Sequence, residues 1–235
     1  MHFGTEALLV QTVDIEAMLG ILLLFAWVQN TGIYAVVWWG FAYLLRAFSI
    51  YLFGMFGKAP EFVSIDVANV LLFASFAVTW TGARIFGNRS IHPLGLVAGP
   101  ALWWIASRIP VVSESHELRV LLGAGIITTY TWLAAYEFWR DRDDYLVSRW
   151  PTIFVLTAYG SLILLHTPIS AMMPWSATNE VYASAWLTTQ SFGALLFTIA
   201  VAFMLLAIAK ERNEARQKTM TARLWRWPTS LSRAK

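Results

Sequence analysis

Residues 191–220 read SFGALLFTIAVAFMLLAIAKERNEARQKTM. The uncharged apolar run that contains the first part extends back to Ala183 and ends at Ala209. That length exceeds the roughly 20 residues a helix needs to cross a bilayer. At Lys210 the pattern turns abruptly into charge, without Gly or Pro and with many good helix formers. The chain therefore reads as an all-α, polytopic membrane protein whose last helix extends into water.

Working outward, six further apolar runs precede this one. The seven expected spans are Leu8–Val28, Ile33–Phe53, Ile65–Ile85, Leu94–Val112, Val120–Trp139, Trp150–Met172 and Ala183–Ala209. Turn-rich separators divide them, such as FGKAPE, FGNRSIHP and RIPVVSESHE. The composition agrees. Across 235 residues, 58% are hydrophobic, 13% are charged, and the mean hydropathy is +0.57. A soluble domain carries about 25% charge. The 13 Trp and 8 Tyr suit anchoring at lipid headgroups. Cysteine is absent, so there is neither a disulfide nor a thiolate metal site. The N-terminus lacks a basic region and a small-residue cleavage site, which argues against a removable signal peptide.

Lys and Arg set the expected orientation. With the C-terminus inside, 13 of the 17 fall on the inner side and 4 on the outer side: Arg46, Lys58, Arg108 and Arg119. Eight of the 13 belong to the tail, so the tail decides the N-out, C-in topology of an inner-membrane, multi-pass protein. Seven spans also suit a retinal protein. That chemistry needs a lysine inside a span, and Lys58, Lys210, Lys218 and Lys235 all lie outside.

Charge in hydrocarbon costs about 2.5–3.5 kcal/mol per residue on insertion scales, so each intramembrane charge needs a partner, a wet cavity or a route to the interface. The polar residues within or beside the spans gather on the outer side. Asp14 and Glu16 lie in span one, and Arg46 inside the outer end of span two. Asp66 and Asn69 open span three, Arg108 closes span four, and Arg119 opens span five. His166 lies in span six. Together they outline a candidate outer cleft for a small molecule, rimmed by Trp103, Trp104, Trp175 and Trp186. The bland alternative is that these groups snorkel and pair for structure. SESHE, at Ser113–Glu117, offers two carboxylates and one imidazole, a weak metal signal. No metal or other cofactor is expected. No HExxH, GxSxG, Walker loop or paired-Asp motif appears, so no catalytic constellation is expected.

Beyond Ala209, Lys210–Glu214 and Glu214–Lys218 are i,i+4 pairs that support an exposed helix. Leu206, Ala209, Asn213, Arg216 and Met220 repeat at 3-4-3-4 spacing, a polar coiled-coil seam. Lys210, Glu211, Glu214 and Lys218 are the candidate signal-transmitting residues. The expected organisation is a membrane domain over 1–209, a signalling helix over 210–222, and a basic, Trp-containing tail over 223–235, irregular or truncated.

The junction LLAIAKERNEARQKTM resembles that of bacterial membrane-anchored diguanylate cyclases of the GGDEF class. In these, a multi-helix sensor feeds a charged helix and then a catalytic domain. WTGARIFGNRSIHPLGLVAGPALWWIA, Trp80–Ala106, is similar to the inner hairpin of such sensors. After Met220 the chain reads TARLWRWPTSLSRAK, with no D-x-L-T-G and no G-G-D-E-F, so the family's catalytic residues carry over to no position. The resemblance implies a sensor role in cyclic-di-GMP signalling, with a lipid bilayer, a small ligand and a homodimer mate through the last helix as partners. Nucleic acid is not among the expected partners. The segment after Met220 reads either as truncated or frame-altered coding sequence, or as a short tail suited to an anionic inner surface. The rival function is a small-molecule transporter or channel using the outer cleft.

Overall fold

The computed structural model describes residues 3–29, 32–141, 146–172 and 180–225, with side chains over 9–29, 32–141, 146–166 and 193–222. Within these residues the chain is helical throughout its regular structure. The elements are α1 (Phe3–Gln29), α2 (Ala35–Gly54), a π-helical turn (Phe62–Val67) running into α3 (Ala68–Phe86), α4 (Pro93–Ala106), α5 (Pro110–Glu114), α6 (His116–Arg140), α7 (Arg149–Met172) and α8 (Glu180–Trp225). Five segments are long and apolar enough to cross a membrane: Leu9–Gln29, Ala35–Gly54, Phe62–Phe86, His116–Arg140 and Gly193–Ala222.

The helices form a closed ring. α1 packs on α2, α2 on α3, α3 on α6, α6 on α7, α7 on α8, and α8 returns to α1. α4 stands outside the ring, against α3 and α6. Trp39, Tyr43, Phe73, Phe138, Leu205 and Ile208 are fully buried. The outward faces carry large apolar side chains, among them Phe25, Phe41, Phe48, Phe154, Leu196 and Phe203. A helix in water turns polar residues outward. Apolar residues on both the inner and outer faces suit a helix between core and lipid, so the chain is a membrane protein with its outer faces against the bilayer.

Glycines allow two close approaches. α1 and α2 cross at Gly20 and Gly40, where a Cβ on either residue would lie 3.0 Å from the other's carbonyl oxygen. Small residues at such crossings let helix backbones meet. On α4, a Cβ at Gly99 would lie 2.4 Å from the Tyr130 ring. The Tyr130 hydroxyl accepts from Gly99 N at 2.8 Å and donates to the Gly95 carbonyl at 2.6 Å. It thus stands between two groups that an unbroken helix would join directly.

The expected fourth span, Leu94–Val112, is not one helix. α4 ends at Ala106 and α5 begins at Pro110. Proline lacks an N–H and drives its predecessor away from helix, and Ile109 is extended at φ −84°, ψ 123°. The seventh expected span and the charged segment after it are a single helix, continuous to Trp225. The helix therefore enters the segment expected to be irregular. Residues 226–235 lie outside the described part.

Candidate functional site

The bundle has two chemically different ends. At one, α2 finishes and α6 begins. At the other, α3 and α6 finish and α7 begins. The first end holds a cavity of about 970 Å³. Its lining comes from α3 (Asn69, Leu72, Phe73), α6 (His116, Arg119, Ile127), α7 (Tyr159, Leu162, His166) and α8 (Gly193, Ala194, Phe197), with Trp103 from α4. Phe56 and His116 are exposed at the mouth, while Phe73 is fully buried. The π turn helps to shape the wall, placing Ile65 on the cavity. Asn69 lines the cavity as well and donates to the Ile65 carbonyl at 2.8 Å.

Tyr159 also borders the next feature inward, a small void of about 10 Å³ shared with Arg46, Thr79, Thr131 and Thr198. Here Arg46 faces Glu16 at 3.6 Å, with both side chains buried. The guanidinium lies 4.3 Å over the Phe76 ring and 4.9 Å from the Tyr43 ring, distances suited to cation–π attraction. Its Nε donates to Ser75 Oγ at 3.4 Å. Tyr43 donates to the Thr198 carbonyl at 2.9 Å, which ties α2 to α8. A charged pair survives in such a place only with partners for both members.

The residues expected in one cleft thus fall into separate places. Asn69, Arg119 and His166 line the cavity. Glu16 and Arg46 form the buried pair beneath it. Asp66 meets Arg108 at 3.4 Å on a partly exposed surface, where Arg108 also lies 4.6 Å from the Trp104 ring. Asp14 is exposed. Of the four tryptophans expected at the rim, Trp103 is in the wall, Trp104 packs outside with Arg108, and the side chains of Trp175 and Trp186 lie outside the described residues. In SESHE, Ser115 caps α6 by accepting from Leu118 N at 3.2 Å. Among the described residues no His, Asp and Glu group is arranged to hold a metal.

The opposite end is held by ions. Glu137 is 4% exposed and takes Arg84 at 3.0 Å and also Arg89. Arg212 of α8 is equally buried. It pairs with Asp141 at 3.4 Å, donates to the Phe86 carbonyl, and lies 4.3 Å over the Phe86 ring. Arg216 reaches the Gly32 carbonyl at 3.3 Å. Glu211 accepts from the backbone N–H groups of Val147 and Ser148, at 2.5 and 2.9 Å, at the start of α7. Glu211 lies past the apolar run. Burial pushes its carboxyl up, but those N–H groups, the Ser148 side chain and Arg149 outweigh burial and hold it below the usual carboxylate value. Lys210 and Glu214 form the expected i,i+4 pair at 3.9 Å on the exposed side, and Lys218 is exposed.

Sequence reading did not identify Tyr43, Tyr159 and Thr198 around the buried pair, nor Glu137 and Arg212 at the ionic end. Glu137 carried a usable signal, a lone carboxylate within the apolar run AAYEFW. The tyrosines carried none, because a Tyr in an apolar run reads alike at an interface and in a core. No protein-family model, no curated protein and no solved structure matches this chain.

Proposed function

We propose that the protein is a membrane sensor. It takes a small ligand at its outer side and reports occupancy through α8, in the manner of the input regions of the diguanylate cyclases that the sequence resembles. One observation carries this reading. The same continuous helix supplies Gly193, Ala194 and Phe197 to the cavity and Arg212, Glu211 and Arg216 to the ionic end. A ligand that favours one packing around Phe197 therefore bears on the contacts of Arg212. The bias available is the ligand's differential affinity, about 1.4 kcal/mol for each tenfold preference.

In this reading seven segments cross a bacterial inner membrane, N-terminus out and C-terminus in. α4 with α5 makes the fourth crossing and α7 the sixth. The cavity opens outward, and the ionic end faces the cytoplasm, where Lys and Arg concentrate. Two copies pair through the far part of α8, and an output partner reads their relative position.

The test fuses residues 1–220 in frame to a diguanylate cyclase catalytic domain, in a bacterium stripped of its own cyclases. Arg212→Ala and Gly193→Leu should each change cellular cyclic-di-GMP several-fold at matched membrane abundance. Output that ignores both substitutions rules the sensor reading out. The rival reading, a small-molecule transporter or channel, is favoured by Tyr159, which lines both the cavity and the small void next to it. Flux of a labelled solute into vesicles holding the purified chain would decide for that rival.

A further inference from the structure

We infer that the cavity takes an amphiphile with an anionic oxygen head group and a hydrocarbon tail, a class that deepens the ligand-sensing reading above and rests on it. The wall is mainly apolar: Leu72, Phe73, Ile127, Leu162, Ile163 and Phe197 face the space. Its polar lining includes Asn69, His116, Arg119 and His166, and no carboxylate occurs among the described lining residues. The volume of about 970 Å³ is at the upper end of ordinary ligand pockets, roughly 300–1,000 Å³.

Two donors in this wall lack an acceptor. Trp103 is 3% exposed, and its Nε1 is buried without a hydrogen-bond partner. The Nε of Arg119 is also buried and unpartnered. A buried donor left without an acceptor is costly, and a charged one more so. An oxyanion drawn to the Arg119 guanidinium supplies the missing acceptors once the two side chains turn toward it. The guanidinium is permanently charged, and its fork fits carboxylate and phosphate oxygens. A cationic head would meet Arg119 with no described carboxylate to balance it. A neutral head would leave the guanidinium charge uncompensated.

The tail follows from the wall. A small hydrophilic anion would leave most of the space to water against apolar side chains. A hydrocarbon chain fills it. Lipid tails are already as apolar as leucine, so the tail gains little by leaving a bilayer, and the head group sets the selectivity.

The test uses the purified full chain in a neutral detergent, with binding followed by native mass spectrometry and calorimetry. The probes are dodecanoate, dodecyl phosphate, 1-dodecanol and dodecyltrimethylammonium. The two anions should bind at one per chain, the alcohol at least tenfold more weakly, and the ammonium not at all. Arg119→Gln should weaken dodecanoate at least tenfold and leave 1-dodecanol unchanged. Trp103→Phe, which keeps an aromatic ring and removes the donor, should weaken dodecanoate several-fold. Gly193→Leu should abolish uptake, because a Cβ there meets nothing within 4 Å and the side chain enters open space.

Ammonium binding as tight as dodecanoate, or anion binding indifferent to both Arg119→Gln and Trp103→Phe, overturns the ligand class and leaves the sensor reading standing. The sensor reading itself fails separately, if the fused cyclase ignores Gly193→Leu and Arg212→Ala. Lipid extraction distinguishes the sources. An anionic phospholipid that copurifies at one per chain assigns the head group to the bilayer. An empty chain that takes up dodecanoate assigns it to a free fatty acid.

Discussion

Arg46 and Glu16 illustrate what a single charge requires in an apolar setting. Their 3.6 Å contact is surrounded by Phe76, Tyr43 and Ser75. Removing one member leaves the other charged, buried and alone, which costs about 3–5 kcal/mol for buried pairs. Glu16→Gln should therefore lower the thermal midpoint in detergent sharply. Adding Arg46→Met to it should restore more than half of the loss, since the double variant leaves no orphan charge. Additive losses across that cycle would mean the pair is not coupled. Both residues were legible in the sequence as charges inside apolar runs. Their partnership was not, because it depends on how α1 and α2 are rotated about their axes. Tyr130 was wholly hidden, since nothing in GIITTYTW indicates a hydroxyl inserted into another helix. Tyr130→Phe leaves the Gly95 carbonyl and Gly99 N–H without their bridge, at about 1–3 kcal/mol. Faster amide exchange at Gly99, in a variant that still folds, would be the expected trace.

At the scale of the element, α8 changes character where the sequence says it does, at Lys210, but not in the way the charge pattern suggests. The seam Leu206, Ala209, Asn213 and Arg216 reads as a surface for a second chain. In the fold, Ala209 and Asn213 are buried within the protein, and Arg216 reaches Gly32. Arg216 and Met220, the last two positions of the seam, are exposed. A dimer through this helix must therefore form mainly beyond Asn213. The near half of the charged segment belongs to the bundle, and Glu211 is one of its ties. Because its folded carboxyl titrates below the usual carboxylate value of 4.5, its contribution is complete above that value. It is lost as pH falls through the lower, folded value. The protection of the Val147 and Ser148 amides, relative to their intrinsic exchange rates, should fall as acid is added in the wild-type chain. In Glu211→Gln that protection should be low at every pH, and a variant that retained the acid dependence would assign the effect to another group.

For the whole molecule, an all-helical chain with helices apolar enough to cross a membrane was legible, and the order of the helices around the ring was not. A helix with lipid on one side and core on the other is apolar all round, so the periodicity that orients a soluble helix is missing. The α4 region shows the consequence. Its 14 residues rise only about 21 Å, against a hydrocarbon core of about 30 Å. Whether it crosses depends on α5 and on the pairing of Arg108 with Asp66 nearby. The absence of cysteine makes this accessible, since any single introduced thiol is the only one in the chain. Ser90 precedes α4 and Ser113 lies in α5, and both are exposed. With the cavity facing outward, Ser113→Cys should react with a membrane-impermeant maleimide in intact cells, and Ser90→Cys only after permeabilisation. Because α3 ends and α6 begins at opposite ends of the bundle, the chain from Gly87 to Ser115 has to run from the ionic end to the cavity end. Labelling of both thiols from the same side would therefore contradict this arrangement of α3 and α6, and with it the opposite placement of the cavity mouth and the ionic end along α8.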